Sequence, residues 1–450
     1  MKLKGAFYAV AFVILVSACG KSTIPTVTSQ PSVVNTPETL PGDLLITSTN
    51  AFVDELGTYH VLGQLVNNGS TVLNSIELTI EIKDASGTSL LKDDNGSLTP
   101  NAIFYPFLYT LAPGEASPFE YFYDTTNGTP DSFTVTISGQ ENGNASRATL
   151  HWENVQLVDN GSGLYYLTGK LVNTGSQWAH INGLAGGVLD DSNNLLSTNL
   201  ASAYTTELAP TGDINGFDRT PFEITFPVPG NSTKAQLYWD ADVTDSVISY
   251  PFQLNIANRY FDQDGSARIV GWITNNSTET LNYSHLIAGL YAADGTVLDA
   301  GNSIVPFPVR PGATAPFYFS EFGIVNHDPG QAALVQTSSI QVDPYYISPI
   351  FIEFVNLIAT PETDQKDGAT WTFSGSVTNT SGRSLSNATV VVMIMDAQNK
   401  LVAMEYTSIY PTGDAIAAND TNTYSVSVHL NPVADTTGYI TTTVIVGDVK

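Results

Sequence analysis

Polar and apolar residues alternate along most of this chain. Between positions 371 and 379, Trp371, Phe373, Gly375, Val377 and Asn379 fall on one side, while Thr372, Ser374, Ser376 and Thr378 fall on the other. A period of two marks a half-buried β-strand. The same series occurs as Tyr59, Val61, Gly63, Leu65, Asn67; as Tyr165, Leu167, Gly169, Leu171, Asn173; and as Ala267, Ile269, Gly271, Ile273, Asn275. A second alternating strand follows: Ile76, Leu78, Ile80 and Ile82 interleave with Glu77, Thr79, Glu81 and Lys83 before an Asp84–Gly87 turn. Its counterparts end at Asp190, at Asp294-Gly295 and at Asp396. No long stretch carries a 3.6-residue apolar period, so the pattern predicts an all-β chain.

The strands recur as a unit. The glycines at 63, 169, 271 and 375 are 106, 102 and 104 residues apart. A period that long means tandem domains, because solenoid repeats run at roughly 20–50 residues. A glycine facing inward has no side chain to pack, and is expected to let a large residue of the facing sheet approach. The asparagines at 67, 173, 275 and 379 are expected to close the strand and bond the backbone of the following turn. Later in each unit comes a Pro/Gly corner, as in Pro113-Gly114 and Pro311-Gly312. Beyond it stand Pro118-Phe119, Pro221-Phe222 and Pro316-Phe317, replaced by Thr423-Tyr424 in the fourth copy.

This combination of Gly-x-Val/Leu/Ile-x-Asn, a strand ending in Asp, and Pro-Gly with a following Phe resembles the FxLyD family of small extracellular β-sandwich domains. A generic immunoglobulin-like or CARDB-like module has similar motifs. The resemblance implies surface-exposed sandwiches without a known catalytic site. The expected architecture is four tandem immunoglobulin-like β-sandwiches, over residues 44–142, 143–247, 248–346 and 347–450. The junctions near residues 140–144, 245–250 and 343–349 are short, so the units are expected to stack as a semi-rigid rod.

The N-terminus follows a different pattern. Lys2 and Lys4 precede an apolar run from Ala6 to Val16, and small residues lead to Cys19. This is the layout of a secretory signal, and the run is far short of the ~20 residues needed to span a bilayer. Leu15-Val16-Ser17-Ala18-Cys19 resembles a bacterial lipoprotein signal. The resemblance implies removal of residues 1–18, a lipid on the Cys19 sulfur, and anchoring to the cell envelope outside the cytoplasm. An ordinary signal peptide or an uncleaved anchor is the alternative, but Cys19 is the only cysteine of the chain. Residues 19–43, rich in Thr, Ser, Pro and Val, read as a flexible tether.

Composition narrows the function classes. Sixteen basic against 43 acidic residues give a net charge of −27, which repels phosphate backbones and excludes nucleic-acid binding. The mature chain has no cysteine left to pair and so no disulfide, each unit must be held by its own core, and the acidic excess favours a monomer. Asp262 and Asp264, in Phe261-Asp262-Gln263-Asp264-Gly265, are the best metal candidates. The further acidic ligands of a calcium loop are missing, and Asp-Gly is a strong turn pair, so a hairpin turn outweighs calcium. The same holds for Asp93-Asp94 and Asp190-Asp191. None of the six histidines has zinc spacing, although His180 and His285 stand near the start of equivalent strands. No nucleophile elbow, phosphate-binding loop or metalloprotease motif occurs, and no cofactor or enzyme activity is expected. Dense aromatics at 104–109 and 119–123 suit sugar or peptide contacts, or else core and domain contacts. The sequence therefore points to a lipid-anchored, non-catalytic spacer or protein-interaction module. The alternative is an adhesin for envelope glycans or peptides.

Overall fold

The computed structural model describes residues 26–28 and 43–450, apart from positions 55, 94, 160–163, 214–215, 228–231, 233, 246–249, 351–352, 359–362 and 412. Cys19 and the signal segment lie outside the described residues. Of the stretch read as a tether, Thr26–Thr28 lies parallel beside Lys234–Gln236, and the remainder up to residue 42 is also outside.

Strands make up 60% of the structure and helix 3%, so the chain is all-β and sandwich-like, as the alternation predicts. The sheets are antiparallel apart from the Thr26–Thr28 contact, and they come in pairs. In the first pair, Leu44–Val53, Thr58–Asn67 and Ala116–Asp124 form one sheet, and Ala102–Phe104, Leu73–Lys83 and Ser132–Asn142 the other. The pattern recurs with Leu164–Asn173, Ala267–Asn275 and Thr370–Thr378 as the central strands. Four separate apolar cores lie between the paired sheets. Ile347–Pro349 pairs with Leu281–Tyr283, so the stretch expected to be the third junction adds a strand to the third pair. A short α-helix, Pro329–Leu334, is capped by Asp328, which accepts from the Gly330 and Gln331 amides.

The four asparagines play one role. Asn67 donates to the carbonyls of Thr71 and Leu111 and accepts from the Gly69 amide. Asn173 does the same with Gln177, Leu208 and Gly175. Asn275 does so with Glu279, Val309 and Ser277, and Asn379 with Arg383, Ile416 and Ser381. All four are buried. Each satisfies both its own amide and the backbone of two converging loops, which a buried polar group must do.

The glycines do make room for a bulky ring, but not the ring expected. Gly63 lies directly opposite Phe119 in its own sheet, Gly169 opposite Phe222, Gly271 opposite Phe317 and Gly375 opposite Tyr424. A β-carbon on Gly169 would come within 2.9 Å of Phe222 Cζ, and one on Gly375 within 2.8 Å of Tyr424 Oη. On Gly63 and Gly271 it would also overlap the carbonyl oxygens of Ser48 and Asn255. The expected partner in the facing sheet is thus corrected to the neighbouring strand of the same sheet. Directly opposed residues in an antiparallel pair have β-carbons only about 5 Å apart, so a large ring fits if its partner lacks one.

The outward faces of these strands explain how the pairs join. The residue preceding each of the first three glycines packs beneath the next unit, on the strand that follows that unit's Asp turn. Leu62 is buried with Leu189 and Leu195. The Thr168 hydroxyl donates to the Val297 carbonyl at 2.7 Å. Val270 is buried with Leu401, Met393 and Met404. The seam therefore recurs three times in one register. In the fourth unit the equivalent face bears a hydroxyl ladder instead, with Thr372 against Ser427, Ser374 against Ser425 and Thr378 against Thr421.

Candidate functional site

The seam between the second and third units carries the densest buried chemistry. Glu223 sits on the strand Arg219–Pro227, whose Phe222, Ile224 and Phe226 fill the core on the inner face. Its own side chain points outward, into the seam. Asp299 sits on Val297–Ser303 of the third unit. Both carboxyls are buried, with 3% and 0% of the residue exposed. Asp299 Oδ2 accepts from the Ile324 and Val325 amides, each at 2.8 Å. Glu223 has poorer partners: the Ala300 amide at 3.4 Å and the Thr225 hydroxyl at 3.3 Å. Loss of water, and then the Asp299 charge, push the Glu223 carboxyl well above its usual range. Burial also raises Asp299, opposed by hydrogen bonding with Glu223 and then by its backbone donors. A β-carbon on Gly323 would overlap Glu223 Oε1, so the glycine lets the loop close over the carboxyl. An open cleft of about 390 Å³ reaches Glu223 and is lined also by Ser202, Asn302, Glu321 and His327.

Where the second unit meets the third through Thr206 and Asp343, the structure also gathers His180 and His285. His180 Nδ1 lies 2.7 Å from Glu207 Oε1, and His285 Nδ1 lies 3.3 Å from Asp343 Oδ2. Asp343 Oδ2 also accepts from the Thr206 amide at 2.6 Å, which ties the two units together. Tyr345 packs on the His180 ring and Tyr346 on His285, with the two tyrosines edge to face. The hydrogen bond to Glu207 raises the His180 pKa.

Asp262 and Asp264 form a hairpin turn. Asp262 Oδ1 accepts from the Asp264 and Ser266 amides, and Gly265 takes a positive φ of 81°. His429 of the fourth unit comes near enough to complete a three-ligand group. Yet Asp262 Oδ2 already receives the Arg268 guanidinium at 2.8 Å. A metal ion would have to displace that cation. Asp93 and Asp190 likewise accept from turn amides.

The dense aromatics divide between core and surface. Phe104 and Phe119 are buried, whereas Tyr105, Tyr109 and Phe122 are exposed. On the outer face of the third unit, Trp272 lines an open cleft of about 440 Å³ with Gln253, Asn255, Thr274 and Thr314. Residue-by-residue reading missed Glu223, Asp299 and this face. A lone acid inside the apolar stretch Val297-Leu298-Asp299-Ala300 was the available signal for one of them.

No family model matches the chain, and no characterised protein matches it in sequence. Among solved structures, the BSP domain of a biofilm associated protein aligns with 89% of this chain and 92% of its own, at 10% identity and a TM-score of 0.11. Native Escherichia coli alpha-2-macroglobulin aligns with 86% of this chain and 27% of its own, at 9% identity and a TM-score of 0.13. Similarity at that level bears on neither fold nor role. Among the described residues no helix is long and apolar enough to cross a membrane.

Proposed function

We propose that this is a lipid-anchored protein of the bacterial cell envelope that acts outside the cytoplasm as a non-catalytic spacer or protein-interaction module. One observation supports the spacer role above the others: the same seam recurs three times, burying Leu62, Thr168 and Val270 under successive units. A chain selected only to display independent domains has no need of such joints, since linkers suffice. Hydrogen bonds reinforce them. Asn50 Nδ2 donates to the Leu195 carbonyl, Gln341 Nε2 to the Arg219 carbonyl, and the Tyr260 hydroxyl to the His429 carbonyl. Arg147 clamps Glu115 of the first unit to Asp240 and Asp242 of the second. The Cys19 motif supplies the anchor. One acyl chain binds membranes only marginally, so a stable anchor needs more than one. Mass spectrometry of the N-terminal peptide from the native protein tests this part. The expected result is cleavage before Cys19 and at least two acyl chains. An unmodified Cys19 overturns it.

A second reading is favoured by the Trp272 face. An indole ring beside the amides of Gln253 and Asn255 and the hydroxyls of Thr274 and Thr314 can stack on a sugar and bond its hydroxyls. On that reading the protein is an envelope glycan-binding adhesin. A glycan array probed with wild type and Trp272→Ala separates the two. Saturable binding lost in the variant supports the adhesin, and no binding by either supports the spacer.

A further inference from the structure

We infer that Glu223 and Asp299 share a single proton across the second seam, and that this proton makes the joint between the second and third units tighten in acid and loosen in alkali. The inference is independent of the anchor and of any ligand. It rests first on hydrogen-bond geometry. Asp299 Oδ1 is buried without a hydrogen-bond partner, and Glu223 Oε2 reaches the amide of the very next residue, Ala300, at 3.4 Å, so a proton on Glu223 is the donor at hand for it. The proton belongs on Glu223, because Asp299 Oδ2 holds two good backbone donors, which favour a carboxylate there. Glu223 as a neutral acid completes the bond that Asp299 Oδ1 lacks.

The surroundings offer no substitute for that proton. Among the described residues, no Lys, Arg or His forms an ion pair with either carboxyl. The loop over Glu223 contributes Glu321 and His327 to the cleft. On the neighbouring strand the Lys170 ammonium is bound to the Gly295 carbonyl and lies over the Tyr291 ring. From the third unit, Tyr291 donates to or accepts from Ser339. No group of three potential metal ligands forms around the pair among the described residues. Two buried carboxylates without a counter-ion repel each other strongly, and like charges at such a site cannot both ionise without cost.

The direction of the pH effect follows. Glu223 is raised in the folded protein, so its contribution is full below the ordinary glutamate value of 4.5. It is lost as pH rises through the higher folded value. Loss of the proton places two negative charges on opposite sides of one seam. The open cleft beside Glu223 gives water a route to them once the joint parts.

The test uses the full chain, its Glu223→Gln variant and its Asp299→Asn variant. Amide hydrogen exchange, corrected for intrinsic rate, is followed between about pH 5 and about pH 9 over 297–303 and 320–327. In wild type, protection of these segments should fall as pH rises, by tenfold or more relative to the first unit. In Glu223→Gln, whose amide can donate to Asp299 Oδ1 at every pH, that extra fall should vanish. The wild-type minus variant comparison removes the contribution of His180, which also weakens with rising pH. Infrared difference spectra supply a second readout if either variant folds poorly. At neutral pH wild type should show a protonated carboxyl band that fades in alkali and that Glu223→Gln lacks. Equal pH dependence in wild type and variant overturns the inference, as does the absence of that band. A large stabilisation of wild type by added calcium would also overturn it, by assigning the place to a cation.

Discussion

The glycine at 271 offers the sharpest test of packing in this fold. In Gly271→Ala the new β-carbon would overlap two neighbours at once, the Asn255 carbonyl oxygen and the Phe317 ring. Neither can yield easily. Asn255 lies next to the bulge at Ile256–Asn258, in a strand that pairs with Ala267–Asn275 before and after that bulge, and Phe317 is fully buried. Overpacking of a tight core costs about 1–3 kcal/mol. Replacing glycine also restricts the unfolded chain, which returns about 0.4–1 kcal/mol. The net expectation is a loss of about 1–2 kcal/mol in the third unit. Gly375→Ala provides the contrast. There the closest atom, at 2.8 Å, is the hydroxyl of Tyr424, and none of the nearest atoms belongs to the backbone. Turning that ring aside costs about 0.5–1.5 kcal/mol, close to the entropic return, so this change should be nearly neutral. Native-state hydrogen exchange on the full chain reads both, since it resolves Ala267–Asn275 from Thr370–Thr378. A neutral Gly271→Ala, or a Gly375→Ala that costs more, would refute the reasoning.

Three further outcomes follow from particular contacts. Asn379→Ala strips donors from the Arg383 and Ile416 carbonyls and should destabilise the fourth unit by about 1–3 kcal/mol, as judged by chemical unfolding; Asn379→Asp, which cannot donate, should fare no better. His180 is raised by Glu207, so the pair stabilises below the ordinary histidine value of 6.5, and that stabilisation is lost as pH climbs through the raised value; an NMR titration should find its pKa lower in Glu207→Gln. Ser374→Leu places on the fourth unit the apolar residue that Leu62 and Val270 supply to real seams, and sedimentation should then show head-to-tail association that wild type lacks.

Much of this architecture was legible in the residues, and what was hidden has a physical reason. Alternation assigns each side chain to a face, so Val61, Leu65, Phe373 and Val377 could be placed in cores directly. The asparagines were legible because a buried amide at a strand end has few ways to be satisfied. Alternation does not say which strand lies alongside, and so the ring over each glycine was assigned to the wrong sheet. The same limit hid the seams. Leu62 and Val270 stand on faces that look solvent-exposed within one repeat, and only the next repeat covers them. Glu223 and Asp299 belong to different units, and nothing local marks them as partners.

The central claim is that the units form one firmly joined spacer. Because Cys19 is the only cysteine, residues 44–450 accept spin labels wherever a cysteine is introduced. Asn101→Cys on the first unit and Thr278→Cys on the third are both exposed positions, with a whole unit and two seams between them. Pulsed electron resonance between the two labels measures the joint directly. A spacer locked by repeated seams predicts a single narrow distance distribution at neutral pH. A broad distribution, as independent domains on short linkers would give, would contradict it.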